Sequence, residues 1–357
     1  MTKLRVLVVE DSLTIRKRLI EVLEESPSFE VVGEASDGSQ AIERCLALRP
    51  DVVTMDMMLP IMTGLAATEY IMGHCPTPIL VVSASFNRGE VFKTYDALAA
   101  GAVDVIEKPT GHEAPGAWER TFLSALSIVA RVRVITHVRA RLSGLAQHAR
   151  SERPTGFDPA LSPRGVLGLG ASTGGPSALV DVLGSLPKDF SLPVLVVLHI
   201  GAPFAFAFGE WMDTQLPRAV SFAKGGERLD SLQNQVLLAP PDQHLVVRGG
   251  VLALSNEGER HSCRPSVDVL FESLASQCGA AAVGCLLTGM GRDGAQGLLA
   301  LRRAGAATVA QDQATSVVYG MPREAALIGA AEQILPLRDI GAALGVLARG
   351  PRRKQPS

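Results

Sequence analysis

Residues 165–176 narrow the possible folds more than any other stretch of the chain. An apolar run at 166–169 has the pattern of a buried strand, small residues follow, and 177–183 has the pattern of a helix. A serine at such a strand-to-helix turn, here Ser172, is held out of the sheet near the N-terminal amides of the next helix. The stretch therefore predicts an α/β unit with Ser172 as a candidate nucleophile.

Two other interpretations of this turn stay open on the residues alone. A dinucleotide-binding G-x-G-x-x-G would use Gly168 and Gly170, but its third glycine falls on Thr173, and no acid follows at the expected distance. Gly170 to Gly174 satisfies G-x-S-x-G, which is a short pattern. A small-residue turn between strand and helix also occurs in α/β domains without any catalytic role.

Composition limits the class of protein. A chain of 357 residues, 47% hydrophobic and 20% charged, is typical of about two globular domains. A net charge of -2 favours neither a nucleic-acid partner nor a membrane surface. The five cysteines lack C-x-x-C spacing, which argues against a disulfide framework or a zinc site. The first residues lack a signal-peptide core, and proline and glycine interrupt the uncharged stretch 190–209. We expect a cytoplasmic protein without membrane insertion.

The first half of the chain alternates apolar strands with amphipathic segments, which predicts a parallel sheet with strands at 5–9, 29–33, 52–55, 79–82 and 103–106. Ligands of such sheets bind at the carboxyl ends of the strands. The polar residues that follow these strands are Glu10, Asp11, Asp56, Ser83 and Lys108. Three carboxylates with a lysine and a hydroxyl indicate a site for a hard cation beside a fixed positive charge.

This half resembles the receiver domain of two-component response regulators. The resemblance implies that Asp56 is the phosphoacceptor and that Glu10, Asp11 and Asp56 hold Mg²⁺. It implies that Lys108 contacts the phosphate and that Ser83 is the switch hydroxyl. It also implies a chemosensory histidine kinase as phosphodonor. Two positions depart from the usual receiver pattern. Glu10 stands where an aspartate is usual, and Val105 where an aromatic switch residue is usual.

The second half repeats the placement of polar residues at strand ends. Strands are predicted at 166–170, 194–199, 282–287 and 307–310, and their ends carry Ser172, His199 and a loop at 288–294 that contains Asp293. A serine needs a neighbouring imidazole to remove its proton, and the imidazole needs a carboxylate to orient it. Backbone N–H groups of 289–291 would stabilise a developing oxyanion.

Two other histidines compete with His199 for the role of base. His244 follows Asp242 by two residues, which would satisfy the α/β-hydrolase order of serine, acid and histidine, and His261 lies in a polar loop. The close spacing of Asp242 and His244 is more typical of local turn chemistry. The placement at a strand end favours His199.

The segments 170–176, 264–271, 287–295 and 319–325 together resemble the protein-glutamate methylesterases of bacterial chemotaxis, the CheB family. The resemblance implies that Ser172 is the nucleophile, His199 the base and Asp293 the acid that orients it. It implies that Thr173 lies in the same pocket and that Met290 contributes an amide to the oxyanion hole. It implies methylated chemoreceptors as substrates, glutamine deamidation as a second reaction, and no cofactor in the catalytic domain. The loop at 199–208 is more apolar than is usual in that family.

The predicted fold class is α/β throughout, with a doubly wound parallel-sheet receiver domain followed by a parallel-sheet serine-hydrolase domain. The boundaries are a receiver domain at 1–125, a linker with a basic helix at 126–162, a methylesterase domain at 163–348 and a disordered tail at 349–357. The alternative is a phospho-switched binding module whose catalytic residues are relics. Release of methanol from methylated receptors would separate these two functions.

Overall fold

The computed structural model describes residues 3–84, 88–111, 113–132, 134 and 165–349, and these fall into two compact units. Most of the predicted linker 126–162, and the tail after Arg349, lie outside the described residues. Within the described ranges, no helix is both long and apolar enough to cross a membrane.

The N-terminal unit contains the predicted five-stranded parallel sheet. Its strands are β1 (Leu4–Val9), β2 (Phe29–Ala35), β3 (Val52–Met55), β4 (Ile79–Ser83) and β5 (Asp104–Glu107), in the order β2-β1-β3-β4-β5. The helices are α1 (Leu13–Glu24), α2 (Gly38–Leu48), α3 (Gly64–His74), α4 (Arg88–Ala99) and α5 (Ala117–Val129). The chain reverses its direction of travel across the sheet between β1 and β3, which is where such folds bind ligands.

Helix α5 crosses the predicted boundary between the receiver domain and the linker. The helix ends at Val129, four residues beyond the predicted end of the first domain at 125. Trp118, Phe122, Leu126 and Val129 are buried at helical spacing, so this face packs on the N-terminal unit. The basic helix predicted within 126–162 therefore lies mostly outside the described residues.

The C-terminal unit contains a seven-stranded sheet in which every pairing is parallel, and a separate antiparallel hairpin. The sheet order is β14-β13-β12-β6-β7-β9-β8, and the strands of this unit are β6 (Val166–Ala171), β7 (Val194–Leu198), β8 (Val220–Phe222), β9 (Val236–Leu238), β10 (His244–Arg248), β11 (Val251–Ser255), β12 (Ala282–Leu286), β13 (Ala307–Gln311) and β14 (Gln333–Leu335). The helices are α6 (Gly175–Gly184), α7 (Ala202–Gln215), α8 (Val267–Gln277), α9 (Ala295–Arg303), α10 (Met321–Leu327) and α11 (Leu337–Ala348).

Strand β6 lies at the centre of this sheet, between β12 and β7. Ala171 at its end is in register with Leu198 at the end of β7, and Gly170 is in register with Leu286 at the end of β12. The residues that follow these three strands therefore emerge side by side at one edge. The chain moves outward from β6 through β7 and returns to β12 on the other side, which makes this edge a topological switch point.

Two glycines of β6 allow helix α8 to approach the sheet closely. A Cβ at Gly170 would lie 2.3 Å from Cγ1 of Val267, and one at Gly168 would lie 2.8 Å from Cδ1 of Leu274. A side chain at either glycine would have to displace side chains of α8. The close approach sets the N-terminus of α8 over the end of β6, where the candidate site is built.

Candidate active site and phosphoacceptor site

Ser172 is the first residue after β6 and lies in the turn that leads into α6. Its N–H donates to the carbonyl of Thr288 over 3.0 Å, and its own carbonyl accepts from Gly175 N at 2.6 Å. Gly174 has a φ of 74°, which closes the turn in the left-handed region. The backbone around Ser172 is thus fixed on both sides, and its side chain is half-buried at the edge of the sheet.

Thr288 connects the Ser172 turn to two other loops, a role that sequence analysis missed. Its buried hydroxyl donates to the carbonyl of Thr173 over 3.0 Å and accepts from Val318 N at 2.9 Å. Its N–H donates to Oε1 of Gln311 over 2.8 Å. A threonine directly after an apolar strand gives no sign of these partners, because all of them are distant in sequence.

The loop at 289–291 supplies fewer free amides than predicted. Gly289 N–H donates to the carbonyl of Val318 over 3.0 Å, so it is not available to an oxyanion. A Cβ at Gly289 would lie 2.7 Å from Cβ of Ser172, which shows how closely this loop approaches the serine. The N–H groups of Thr173 and Met290 make no hydrogen bond within the described residues. These two amides are free to bind an anionic oxygen.

His199 follows β7, and the structure brings it together with Asp293. Its N–H donates to the carbonyl of Ala171 over 3.0 Å, and its Nε2 lies 2.9 Å from Oδ2 of Asp293. Its Nδ1 lies 3.7 Å from Sγ of Cys263. Burial alone would lower the pKa of His199, but the hydrogen bond to Asp293 and the contact with Cys263 outweigh it and raise the pKa to about 9.

Asp293 is held by the N-terminus of α8. Its Oδ2 accepts from Val267 N at 2.7 Å, and its Oδ1 accepts from Ser266 Oγ at 2.7 Å and from Asp268 N at 3.1 Å. Burial would raise the pKa of Asp293, but the hydrogen bond to His199 and these donors hold it below its usual range. The carboxylate therefore stays charged and fixed beside the imidazole, at the positive end of a helix dipole.

These helix contacts were missed in the sequence, although a signal for them existed. Ser266 is the N-cap of α8, accepting from Val269 N at 3.4 Å, and serine before an apolar helical pattern is a helix-start signature. What the pattern could not show is that this helix start faces residue 293. That contact depends on the packing of α8 over β6.

Ser172 and His199 occupy neighbouring strand ends, but within the described residues no hydrogen bond joins Ser172 Oγ to the imidazole. Because Nε2 faces Asp293, the ring nitrogen left to accept a proton is Nδ1. Catalytic hydrogen bonds are often long in a ligand-free enzyme and shorten when substrate binds. The arrangement can thus support proton transfer from the serine once the pocket is filled.

The two competing histidines occupy other places. His244 is fully buried, its Nδ1 accepts from Ser266 N at 3.1 Å, and its Nε2 lies 3.2 Å from the carbonyl of Gly258. Asp242 is exposed in a left-handed turn, with φ 59°, so the suggested Asp242 and His244 pair is not formed. Both ring nitrogens of His244 have partners in the backbone, which indicates a structural role.

His261 makes a second pair with a carboxylate, next to the first. Its Nε2 lies 3.2 Å from Oδ2 of the buried Asp268, and its Nδ1 accepts from Nε of Arg292 at 3.2 Å. Asp268 Oδ1 also accepts from Gly297 N at 2.6 Å. Burial and the nearby charge of Asp293 raise the pKa of Asp268. His261 therefore links Asp268 to Arg292, the residue before Asp293.

The structure gathers the predicted acidic cluster at the ends of β1 and β3. Oxygens of Glu10, Asp11 and Asp56 all lie within 4.8 Å of one another. Lys108 Nζ is 3.0 Å from Oε2 of Glu10 and 2.9 Å from Oδ2 of Asp56. Glu10 and Asp56 are buried, whereas Asp11 is exposed. Arg16 Nη1 donates to the carbonyl of Glu10 over 2.6 Å, which holds the start of this loop.

The charges of this cluster affect each other strongly. Burial, and then the charge of Asp56, raises the pKa of Glu10 to about 7 against the opposing effect of Lys108. Burial alone would lower the pKa of Lys108, but the two carboxylates raise it. The Lys108 ammonium is the one positive charge that contacts these carboxylates within the described residues, against three acidic side chains. Three carboxylates that offer oxygens within 4.8 Å of one another fit a hard divalent cation such as Mg²⁺.

The predicted switch hydroxyl lies at the end of β4, beside β3. Ser83 is fully buried, and its Oγ accepts from Thr94 Oγ1 of α4 at 3.0 Å. Val105 lies half-buried on β5, paired in register with Val81. Sequence analysis missed Thr94, because the link between β4 and α4 is a tertiary contact.

Each of the two units matches the model of a known protein family. The family model for the response regulator receiver domain matches residues 6–114, and the model for CheB methylesterase matches residues 167–344. A protein-glutamate methylesterase/protein-glutamine glutaminase of Nitrosospira multiformis is 40% identical over 96% of both chains. The chain belongs to the CheB methylesterase family. The receiver and methylesterase order predicted from the sequence is thereby confirmed.

Other relatives cover both units or one of them. A CheB family protein of Pseudomonas aeruginosa, named protein-glutamate methylesterase/protein-glutamine glutaminase 2, is 43% identical over 95% of both chains. Among solved structures, the CheB methylesterase catalytic domain of Thermotoga maritima is 31% identical, with a TM-score of 0.49, and matches 52% of this chain and 100% of its own.

Proposed function

We propose that this chain hydrolyses the methyl esters of glutamate side chains on chemoreceptors and deamidates glutamine side chains at the same site, under control of receiver phosphorylation. The observation that carries the proposal is the fixed pair of His199 and Asp293 beside Ser172, at three adjacent strand ends. Family membership of both units supports it. A binding module with relic catalytic residues would have no need for a buried, four-fold hydrogen-bonded carboxylate behind an imidazole.

In the proposed reaction, Ser172 Oγ attacks the ester carbonyl while its proton passes to Nδ1 of His199. The N–H groups of Thr173 and Met290 stabilise the oxyanion, and Asp293 stabilises the imidazolium. The bond from carbon to the methoxy oxygen breaks, and His199 returns the proton to release methanol. A water activated by His199 then cleaves the acyl-enzyme to give glutamate. An amide substrate follows the same steps and releases ammonia.

In the receiver, Asp56 would accept the phosphoryl group from a chemosensory histidine kinase. Glu10, Asp11 and Asp56 would hold Mg²⁺, which supplies charge neutralisation for the incoming phosphoryl oxygens. Lys108 contacts Glu10 and Asp56, so its ammonium can also contact a phosphoryl group carried by Asp56. Ser83, at the neighbouring strand end, can donate to the new phosphoryl oxygens. A cytoplasmic location is part of this proposal, since the proposed kinase and Mg²⁺-dependent phosphorylation are found there.

The proposal is tested by incubating the purified chain with chemoreceptors that carry methyl-labelled glutamate esters. Volatile methanol should appear with the chain and should increase when a small-molecule phosphodonor and Mg²⁺ are added. A folded, phosphorylated protein that binds receptor but releases no methanol would favour the binding-module alternative.

The pH dependence of the reaction should report on His199. Only the neutral imidazole can accept the serine proton, and the pKa of His199 is raised to about 9. We therefore expect kcat/KM to rise with pH up to and through about 9. Asp293→Asn removes the carboxylate that raises this pKa, so the midpoint should move to lower pH while the maximal rate falls. A midpoint unchanged by Asp293→Asn would contradict the assignment of His199 as base.

Ser266→Ala should weaken both the helix and the site. The change removes an N-cap, which costs about 1 kcal/mol of stability, and removes a donor to Asp293. Turnover should fall several-fold, and chemical denaturation should show the loss of stability in the C-terminal unit. The matched control is Thr63→Ala, because Thr63 caps α3 in the same way through Ala66 N at 3.3 Å. That variant should lose stability in the N-terminal unit and keep its turnover.

A further inference from the structure

Cys263 lies beside the candidate base in a loop of fixed geometry. Its Sγ is 3.7 Å from Nδ1 of His199, the ring nitrogen that does not face Asp293. Arg260 and Cys263 pair through both of their N–H groups, at 3.1 and 2.9 Å. His261 and Ser262 between them have φ values of 53° and 60°, a left-handed turn that holds the thiol in place.

We propose that Cys263 Sγ and His199 Nδ1 form an inhibitory site for Zn²⁺. Zinc bonds of about 2.3 Å to sulfur and about 2.0–2.1 Å to nitrogen, at a tetrahedral angle, place the two ligand atoms about 3.6 Å apart. The observed separation is 3.7 Å. On binding, the thiol of Cys263 and the protonated Nδ1 of His199 each lose a proton to solvent, bonds from zinc to sulfur and nitrogen form, and two waters leave the ion. Water fills the remaining positions.

The surroundings of His199 suit a metal ligand. Asp293 accepts from Nε2, so the imidazole is oriented with Nδ1 towards Cys263, and a carboxylate in this position is the usual support for a zinc-bound histidine. His199, Cys263 and Asp293 offer ligand atoms within 4.8 Å of one another. A cavity of about 510 Å³ lined by Cys263, Asp293 and Glu324 gives a hydrated ion room to approach the thiol. Arg292 also lines it, but its Nε points to His261.

The other cysteines provide controls. Cys45, Cys75 and Cys285 are buried, and Cys278 is half-buried at the end of α8. Among the described residues, the potential metal-binding clusters of histidine, cysteine and acidic side chains contain no cysteine other than Cys263. Cys278→Ser is therefore the matched control for Cys263→Ser. The spacing of the cysteines in the sequence gave no sign of the site, because its two ligands are 64 residues apart.

Metal binding is measured with Co²⁺, whose thiolate complexes have a charge-transfer absorption band, in the full chain with excess Mg²⁺ to occupy the receiver. The band should appear in the unaltered protein, in Cys278→Ser and in Ser172→Ala, and Zn²⁺ should abolish it. It should be absent in Cys263→Ser, and Asp293→Asn should weaken Co²⁺ affinity by about 10–100-fold. No band in the unaltered protein, or a band that persists in Cys263→Ser, would overturn the proposal.

Inhibition is measured on methanol release, and this part depends on the proposed function. Zn²⁺ in excess Mg²⁺ should inhibit the unaltered protein and Cys278→Ser alike, and a chelator should restore the rate. Each variant is compared with its own zinc-free rate, and Cys263→Ser should need at least about 10-fold more Zn²⁺ for half inhibition. Equal sensitivity of Cys263→Ser refutes the inhibitory site. Failure of the esterase assignment itself would show in the assay without zinc and would leave the Co²⁺ result standing.

Discussion

Ser172→Ala is expected to reduce methanol release by a factor of roughly 10³–10⁶, because the acyl-enzyme route disappears and only substrate binding and the oxyanion amides remain. The smaller side chain fits the half-buried turn, and the backbone contacts of Ser172 with Thr288 and Gly175 do not involve the hydroxyl. KM should change little, since the loss is in the chemical step. The measurement is the initial rate of methanol release from methyl-labelled receptor.

The control for this variant is Ser177→Ala. Ser177 lies in the first turns of α6, five residues from Ser172 and similarly half-buried, but after the turn that carries the nucleophile. Its rate should stay close to that of the unaltered protein. Near-normal turnover in a folded Ser172→Ala variant would show that another group is the nucleophile.

Asp56→Asn is expected to abolish phosphoryl labelling of the chain by a small-molecule phosphodonor with Mg²⁺. The amide has the shape of the carboxylate but lacks the nucleophilic, metal-binding oxygen that faces Glu10 and Lys108. Activation of methanol release by the phosphodonor should be lost with it. Coupling between two sites typically changes activity by about 5–150-fold, which sets the expected size of that activation.

Asp51→Asn is the matched control for Asp56→Asn. Asp51 lies just before β3 and Asp56 lies just after it, so the two aspartates occupy opposite ends of one strand. Asp51 is exposed and accepts from Arg5 N at 2.8 Å, which an asparagine can also do. Labelling should persist in Asp51→Asn. Labelling that persists in Asp56→Asn would move the phosphoacceptor to another residue.

The periodicity of the sequence was sufficient to predict both parallel sheets. The central strands consist of continuous apolar runs that are buried on both faces, and this pattern depends little on context. The three-residue strands β8, β9 and β14, and the hairpin β10–β11, were missed. Runs of three residues carry too little periodicity to be recognised. Strands β9 and β14 pair with β7 and β13, and β8 pairs with β9, so these short strands depend on edges that the rest of the sheet presents.

The sequence by itself determined which residues reach the functional edges. Parallel strands align their carboxyl ends, so Ser172, His199, Asp56 and Lys108 could be assigned to those edges from the residues that follow each strand. Whether two of them touch depends on strand order and on loop paths, which a local pattern does not contain. The contact between Asp293 and His199 was therefore decided by the tertiary structure.

The same reason explains the partners that sequence analysis missed. Ser266 contacts Asp293, which is 27 positions away in the chain, and Cys263 contacts His199, which is 64 positions away. Thr288 contacts the carbonyl of Thr173, 115 positions away. Their contacts form because two glycines of β6 admit α8 close to the sheet and because the turn at 261–262 points a thiol inward. The sequence determined the chemistry available at the edge of each sheet. The packing of α8 and the loop at 260–263 decided which nitrogen of His199 is free to react.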